Sequence, residues 1–456
     1  MTDMSSSKPK RKRILTGVFT VVLLVILTAA IYLNSLMPII TGYAAKNLCS
    51  AVFVSGREQA DVEKLDLDFS FISYVNSDVD KGNKTVTSSF LWGKSTAIYR
   101  EGFGVTLLQE KTADDIRKIK FPGISPGYSG DTIAWPMGDV LPDSLQEADN
   151  TAFDEISNKL VNDQAYGGTA FAFMVLHKGV PVTEAYMEGL SKDTKLLSWS
   201  MAKSVTNALV GTMVADSIIS ITGDGLIDEW GEDKRSNITI ENLMHMQSGL
   251  EWNEDYGNRS DVTVMLHCEP DFAEYAYSRY PEHDPGTFWY YSSGTTNIVS
   301  YILRQQFGND NEYYAFPHKE LFYRIGITDA VFEPDESGTL VGSSYLYMTA
   351  RDYARFALLY MNDGVFNGER ILPEGWVDYT VTPASESGGR YGSFFWLNRD
   401  GGFENAPEDM YMCIGHDGQR IFMIPSLDLA VVILGYSPAD SMDFESIISD
   451  ITAIVE

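Results

Sequence analysis

The chain has 456 residues, 44% of them apolar and 12% aromatic, enough for a large core and more than one structural unit. The net charge of −29 is uneven: the first thirteen residues hold five basic groups (Lys8, Lys10, Arg11, Lys12, Arg13) and one acid, so the rest carries 29 basic against 62 acidic residues, or −33. Such a body repels nucleic acid and anionic lipid, which excludes both as its partners.

In chain order, residues 1–13 form a basic tail, and Ile14–Leu33 is a run of twenty residues without a charge, long enough to span a bilayer. The positive-inside rule keeps the tail cytoplasmic and places the acidic body on the periplasmic, extracytoplasmic side. A cleaved signal peptide is the competing reading, with Tyr43-Ala44-Ala45 as a small-residue site, but apolar cores of signals usually run ~7–15 residues. Residues 34–145 then form a strand-rich region, with strands expected at Ala51–Val54, Leu65–Ile72, Thr85–Leu91, Thr96–Tyr99 and Gly104–Leu108. The turn-rich stretch from Phe121 to Gly130, followed by Pro136 and Pro142, leads to a boundary near 145/146.

From Thr151 a helix precedes two strands, Gly168–Leu176 and Val182–Tyr186, joined by a turn at His177-Lys178-Gly179. In the following helix, Met201, Val205, Ala208, Leu209, Thr212 and Met213 share one face, whereas Ser200, Lys203, Ser204 and Asn207 share the other. Further helices are expected from Ile238 to His245, capped by Thr239, over Tyr345–Gly364 and over Asp443–Ile454. Arg420–Ile424 and Leu429–Gly435 read as a hairpin around Pro425–Asp428. Strands at both ends of residues 146–456 with helices between them predict an α+β fold: one antiparallel sheet flanked by helices.

Three clusters carry chemistry. Ser200 and Lys203 stand one helical turn apart, with the serine in the first turn, where free backbone N–H groups favour developing negative charge. A serine hydroxyl needs a base beside it, and a lysine serves once burial disfavours its charged form. The second cluster runs from Pro285-Gly286 through an aromatic stretch to Tyr291-Ser292-Ser293. The third is Gly415-His416-Asp417-Gly418-Gln419, which opens the last hairpin. The six histidines show no HExxH spacing, so no metal or other cofactor is expected. No GxSxG stands between a strand and a helix as a nucleophile elbow, the one match, Gly123–Gly127, lying in the turn-rich stretch, which speaks against an α/β-hydrolase. Three scattered cysteines (Cys49, Cys268, Cys413) make neither a disulfide framework nor a zinc cluster, although one bridge stays open.

The order of these clusters resembles the serine β-lactamase and penicillin-binding-protein superfamily, in particular its class C-like branch of esterases, carboxypeptidases and amide hydrolases such as the 6-aminohexanoate-dimer hydrolases. Asn242–Leu250, Met348–Phe356 and Tyr391–Trp396 extend the likeness, which covers about residues 150 to 456. The resemblance implies a helical subdomain beside the sheet, an acylated nucleophile at Ser200, Lys203 as its base, and Tyr291 as a proton shuttle. The resemblance puts Ser293, His416 and Gly418 against the substrate, but Ser293 stands in place of the substrate-facing asparagine of the family's Tyr-Ser-Asn motif and Lys-Thr-Gly reads His416-Asp417-Gly418, so a fixed positive charge for a substrate carboxylate is missing. Gln419 would supply the second backbone N–H of an oxyanion hole, beside that of Ser200. The implied protein is a membrane-anchored serine hydrolase cleaving a small ester or amide through an acyl-enzyme. The alternatives are a D-alanyl-D-alanine carboxypeptidase-like cell-wall peptidase acting on a peptide and a non-catalytic penicillin-binding-like sensor. Pocket walls are expected from the loops Asn253–Arg279 and Asn398–Met410.

Overall fold

The structure is a computed structural model that describes residues 8–141, 150–231, 233–438 and 441–455, with side chains from Arg13 onward. Residues 1–7, the side chains of Lys8, Lys10, Arg11 and Lys12, Pro142, and the expected boundary near 145/146 lie outside the described residues.

The apolar run does not stop at Leu33 but opens one helix, α1 (Lys8–Phe53). Arg13–Phe53 is long and apolar enough to cross a membrane. Its side chains are exposed through Leu33, and from Met37 onward one side is buried. The burial is against a four-stranded antiparallel sheet: β1 (Asn76–Asp80), β2 (Thr85–Phe90), β3 (Gly93–Arg100) and β4 (Gly104–Leu108), paired in chain order. Two strand expectations fail here. Ala51–Phe53 closes α1, because a helix already begun and packed on a sheet overrides the β-branched residues at its end. Leu65–Ile72 holds the end of a short helix and turns, with Ser70 at φ +46° and Phe69 edge-on to Tyr43.

The second unit contains α2 (Thr151–Val161), β5 (Thr169–His177), β6 (Val180–Tyr186), α3 (Met201–Ala215), α4 (Ile240–Met244), α5 (Ser293–Arg304), α6 (Ala350–Met361), β7 (Trp396–Leu397), β8 (Tyr411–Ile414), β9 (Arg420–Ile424), β10 (Leu429–Tyr436) and α7 (Phe444–Val455). Its sheet is antiparallel throughout, in the order β7-β8-β9-β10-β5-β6. The period of two is visible in the cores. On β10, Ala430, Val432 and Leu434 join the core beneath α3 and α6, while Leu429, Val431 and Ile433 join the one beneath α2 and α7. Both faces are covered, so these strands read as unbroken apolar runs. Helices Asp261–Cys268 and Phe272–Tyr277 pack on α5 and form the helical side layer. The helix expected over Tyr345–Gly364 begins only at Ala350, since Leu346–Met348 pairs as a strand with Leu196–Leu197. The cysteines are free, with Cys49 and Cys413 buried.

The two units meet at a buried carboxylate. Glu333 forms an ion pair with Lys46 of α1, accepts from Ser50 Oγ at 3.0 Å, and accepts from the Val105 backbone N–H of β4 at 2.7 Å. Nearby, Glu336 accepts from three successive N–H groups, those of Gln109, Glu110 and Lys111, each at 2.9 Å.

Candidate active site

The polar stripe of α3 is buried along its whole length. Asn207 donates to the Ser393 carbonyl at 2.8 Å and accepts from the Tyr360 hydroxyl at 2.6 Å and the Trp376 indole at 2.9 Å. Ser204 Oγ donates to the Phe394 carbonyl at 2.7 Å. These bonds fix the helix that carries Lys203. Ser200 is its N-cap, and the preceding Trp199 holds φ +45°, a left-handed conformation that costs a bulky residue on the order of 1–3 kcal/mol and clusters at functional sites.

Lys203 Nζ has three partners: Ser200 Oγ at 2.9 Å, Ser293 Oγ at 3.0 Å and the Ser343 carbonyl at 3.1 Å. Burial lowers its pKa to about 8, against the opposing pull of the Glu254 charge. The three contacts match the three N–H donors of the ammonium form; with one proton gone, Nζ keeps two donors for the Ser343 carbonyl and Ser293 Oγ and turns its lone pair to the Ser200 hydroxyl, so the same geometry serves both forms.

The Tyr291 phenol interacts with the Ser200 hydroxyl, and Lys203 Nζ lies 4.8 Å above its ring. Burial, then the Glu254 charge, raises the Tyr291 pKa well beyond the usual phenol range, so it stands as a neutral donor and not as a tyrosinate. Ser293, expected to face a substrate, is fully buried behind the lysine. Its hydroxyl accepts from Lys203 and donates to Glu254, and its backbone N–H donates to Glu254 at 2.9 Å. The Trp252 indole donates to the same carboxylate. The resulting chain runs from Glu254 through Ser293 to Lys203 and Ser200. Glu254 was invisible as a motif; its only sequence signal is an acid flanked by Trp252 and Tyr256 in the expected wall loop.

The third cluster closes the other side. Gly415 admits no side chain, since a Cβ there would fall 2.3 Å from the Ser198 carbonyl, so its strand passes directly against the residues entering α3. Gly418 adopts φ +93°, and a Cβ would meet Ser437 Cβ at 2.6 Å. His416 Nε2 lies 3.3 Å from Asp417, and its ring stacks on Tyr256 at 4.5 Å and meets Trp199 edge-on at 5.4 Å. The Gln419 side chain is turned away, bonded to both backbone groups of Gly435 at 2.6 and 3.0 Å, so what Gln419 offers the site is its main chain. Ser200, Glu254, Tyr256, Tyr291, His416 and Arg420 are among the residues lining a cleft of about 350 Å³. The acidic loop 398–410 does not line it: Asn398 folds that loop on itself by bonding the Phe403 carbonyl at 3.0 Å, and Trp396 forms the wall instead.

The Beta-lactamase family model matches residues 153–446. The chain is 24% identical over 298 residues to the 6-aminohexanoate-dimer hydrolase of Paenarthrobacter ureafaciens, an alignment covering 59% of this chain and 72% of that one. Among solved structures, a Bacillus anthracis protein provisionally assigned as a 6-aminohexanoate-dimer hydrolase superposes with a TM-score of 0.53 at 21% identity, covering 74% of this chain and 87% of that one. EstCE1, a hydrolase with promiscuous acyltransferase activity, superposes with a TM-score of 0.53 at 12% identity over 67% of this chain and 99% of its own. Both share the antiparallel sheet with its flanking helices. With the family model spanning well over half of its length, the chain belongs to the beta-lactamase family of hydrolases, within the serine β-lactamase and penicillin-binding-protein-like superfamily.

Proposed function

We propose that the protein is a serine hydrolase, related to class C β-lactamases, that cleaves a small ester or amide through an acyl-enzyme on Ser200. The observation that carries this is the buried Lys203 amine, 2.9 Å from Ser200 Oγ, whose pKa burial lowers to about 8. The neutral amine takes the serine proton as Oγ attacks the carbonyl. The backbone N–H groups of Ser200 and Gln419 receive the developing oxyanion. The proton passes through Tyr291 to the leaving group, and water entering by the same route releases the acid. With His416 where the superfamily has a lysine, substrate carboxylate recognition is weakened, which favours esters and amides over cell-wall peptides. We further propose that α1 is a retained anchor with the body on the extracytoplasmic side. Cleavage at Tyr43-Ala44-Ala45 would cut through a helix whose Ala44, Ala45 and Leu48 are packed in the core.

The test is mass spectrometry of the full-length protein after exposure to a fluorophosphonate. A single adduct on the peptide carrying Ser200 is expected, absent in Ser200→Ala; a protein that takes up no reagent is not a serine hydrolase. Glu254→Gln probes the relay behind the lysine. Its negative charge supports the ammonium form, so neutralising it is expected to move the acid limb of kcat/KM from about 8 to lower pH. An unchanged limb in a pH-rate profile would uncouple Glu254 from Lys203.

A further inference from the structure

Most of the protein's large apolar side chains are inside, yet four exposed ones gather at one end of the small sheet. Phe71 is 54% exposed, Tyr74 74%, Leu91 69% and Trp92 59%. The fold brings them together. The register Asn76↔Ser89 between β1 and β2, carried two residues further, sets Tyr74 across from Leu91, and the Phe71 ring lies 6.2 Å from that of Phe90. Leu91 and Trp92 form the tip of the β2–β3 hairpin.

That end of the sheet is level with the end of the apolar run. β3 travels beside α1 in the same direction. A Cβ on Gly93 would fall 2.7 Å from Met37 Cβ, Ser95 Oγ lies 2.7 Å from Thr41 Oγ1, and Cys49 Sγ donates to the Ala97 carbonyl at 3.7 Å. Extrapolated backward, the hairpin tip meets the residue that follows Leu33, and the Trp92 indole donates to Asn34 Oδ1 at 3.0 Å. Pro38, one turn on, lacks the N–H that would otherwise meet the Asn34 carbonyl, so both polar groups of this residue suit the watery end of an apolar span. No linker separates span from body, because α1 is continuous through Phe53.

We propose that Phe71, Tyr74, Leu91 and Trp92 sit in the headgroup layer of the bilayer that α1 crosses, as a one-sided interfacial belt that seats the body on the membrane; this rests on the reading of α1 as a retained anchor. Aromatic rings with a polar edge favour that layer. The chemistry fits a neutral surface. A body of net charge −33 gains nothing from anionic lipid, and the four side chains carry no charge. The consequence is a fixed height for the cleft. Tyr43 stacks on Trp199, the neighbour of Ser200, with ring centroids 6.3 Å apart. Nine residues of helix separate it from Asn34, or about 14 Å at 1.5 Å per residue.

The experiment uses full-length protein in phosphatidylcholine liposomes, wild type beside Trp92→Phe. Flotation of the intact chain and retained fluorophosphonate labelling confirm that each variant is anchored and folded. The chain has eight tryptophans, so the emission of Trp92 is read as the difference between the two proteins. That difference is expected to be blue-shifted, insensitive to aqueous iodide, and quenched by phosphatidylcholine brominated near the headgroup about twofold more strongly than the emission left in Trp92→Phe. Floating protein whose Trp92 is quenched by iodide and not by bromolipid overturns the belt and leaves the anchor standing. Shielding from both quenchers that disappears when the protein is diluted in lipid overturns it in favour of a second copy. A chain processed near Ala44-Ala45, or one that fails to float, overturns anchor and belt together.

Discussion

Alanine at Ser200 and alanine at Lys203 are expected to cost nearly the same, roughly 10⁴-fold in kcat each, and the double variant scarcely more, because groups acting as one unit are not additive. In the proposed reaction Ser200 Oγ is the bond-forming atom, and without a base 2.9 Å away it is a poor nucleophile. Lys203→Arg is expected to fail as completely: a guanidinium cannot give up its proton, and the amine's place is enclosed by Ser293, Ser343 and Ser200. The pH dependence follows from the direction of the shift. Only the neutral amine accepts the serine proton, and burial has pulled Lys203 down to about 8, so kcat/KM rises with pH through that value and falls away below it. The measurement is hydrolysis of a p-nitrophenyl ester from pH 6 to 10. A Lys203→Ala variant within tenfold of wild type, or an acid limb unrelated to the lysine, would remove Lys203 from the reaction and leave Ser200 without its base.

How much of this was legible in the sequence depends on distance along the chain. Ser200 and Lys203 are one turn apart on a helix whose apolar face is regular, so their adjacency is a local property. Thr239 caps its helix through a box closed by Asn242, three residues on, again local, whereas the box of Thr349 and Asp352 went unread and the expected helix began too early, at Tyr345. The strands β5, β9 and β10 stood out because both faces are buried and their residues are apolar without interruption. Failures came where tertiary packing overrode local preference. Leu65, Leu67, Phe69 and Phe71 alternate as a strand would, but Leu67 and Phe69 pack with α1 from a looping segment while Phe71 is exposed. β1, with Asp78 and Asp80 among its five residues, has a strand's pairing and a loop's composition, as an exposed edge strand permits.

The site divides in the same way. Tyr291 and His416 were found through motifs, the first two residues before α5 and the second in the tight turn between Gly415 and Gly418. Glu254 and Ser293 are 39 residues apart; Ser293 meets Lys203 from far along the chain, and Glu254 reaches it through Ser293. Nothing in the spacing of an acid in a loop says that a buried serine will bond it. The family's asparagine position suggested a substrate contact for Ser293, whereas a shorter side chain draws back and bonds the lysine, leaving Tyr256 and Arg420 to face the cleft.

Lys46→Ala is expected to destabilise the folded protein by about 3–5 kcal/mol, the usual cost of removing one partner from a buried ion pair. Lys46 is 2% exposed and Glu333 not at all. The ammonium also lies 3.9 Å over the Tyr345 ring, so alanine removes a cation–π contact along with the charge. The orphaned carboxylate would keep its bonds to Ser50 and Val105, but burial already raises the Glu333 pKa, and without Lys46 it would take up a proton to escape an uncompensated charge. Replacing both residues, Lys46→Met with Glu333→Leu, is expected to recover most of the loss, since a well-packed apolar pair is often as stable as a buried ionic one. The measurement is urea unfolding of detergent-solubilised full-length protein, followed by total tryptophan fluorescence and by the Trp92 signal of the small sheet, taken as the difference from Trp92→Phe. Because Glu333 joins α1 and β4 to the hydrolase unit, the two signals are expected to move together in the wild type and to separate in Lys46→Ala. A single-variant loss below about 1 kcal/mol, the scale of an exposed pair, would mean that the N-terminal region is only laid against the hydrolase unit. A loss of the expected size would make the long apolar helix α1 part of the same cooperative structure that holds Trp199 and Ser200 in place.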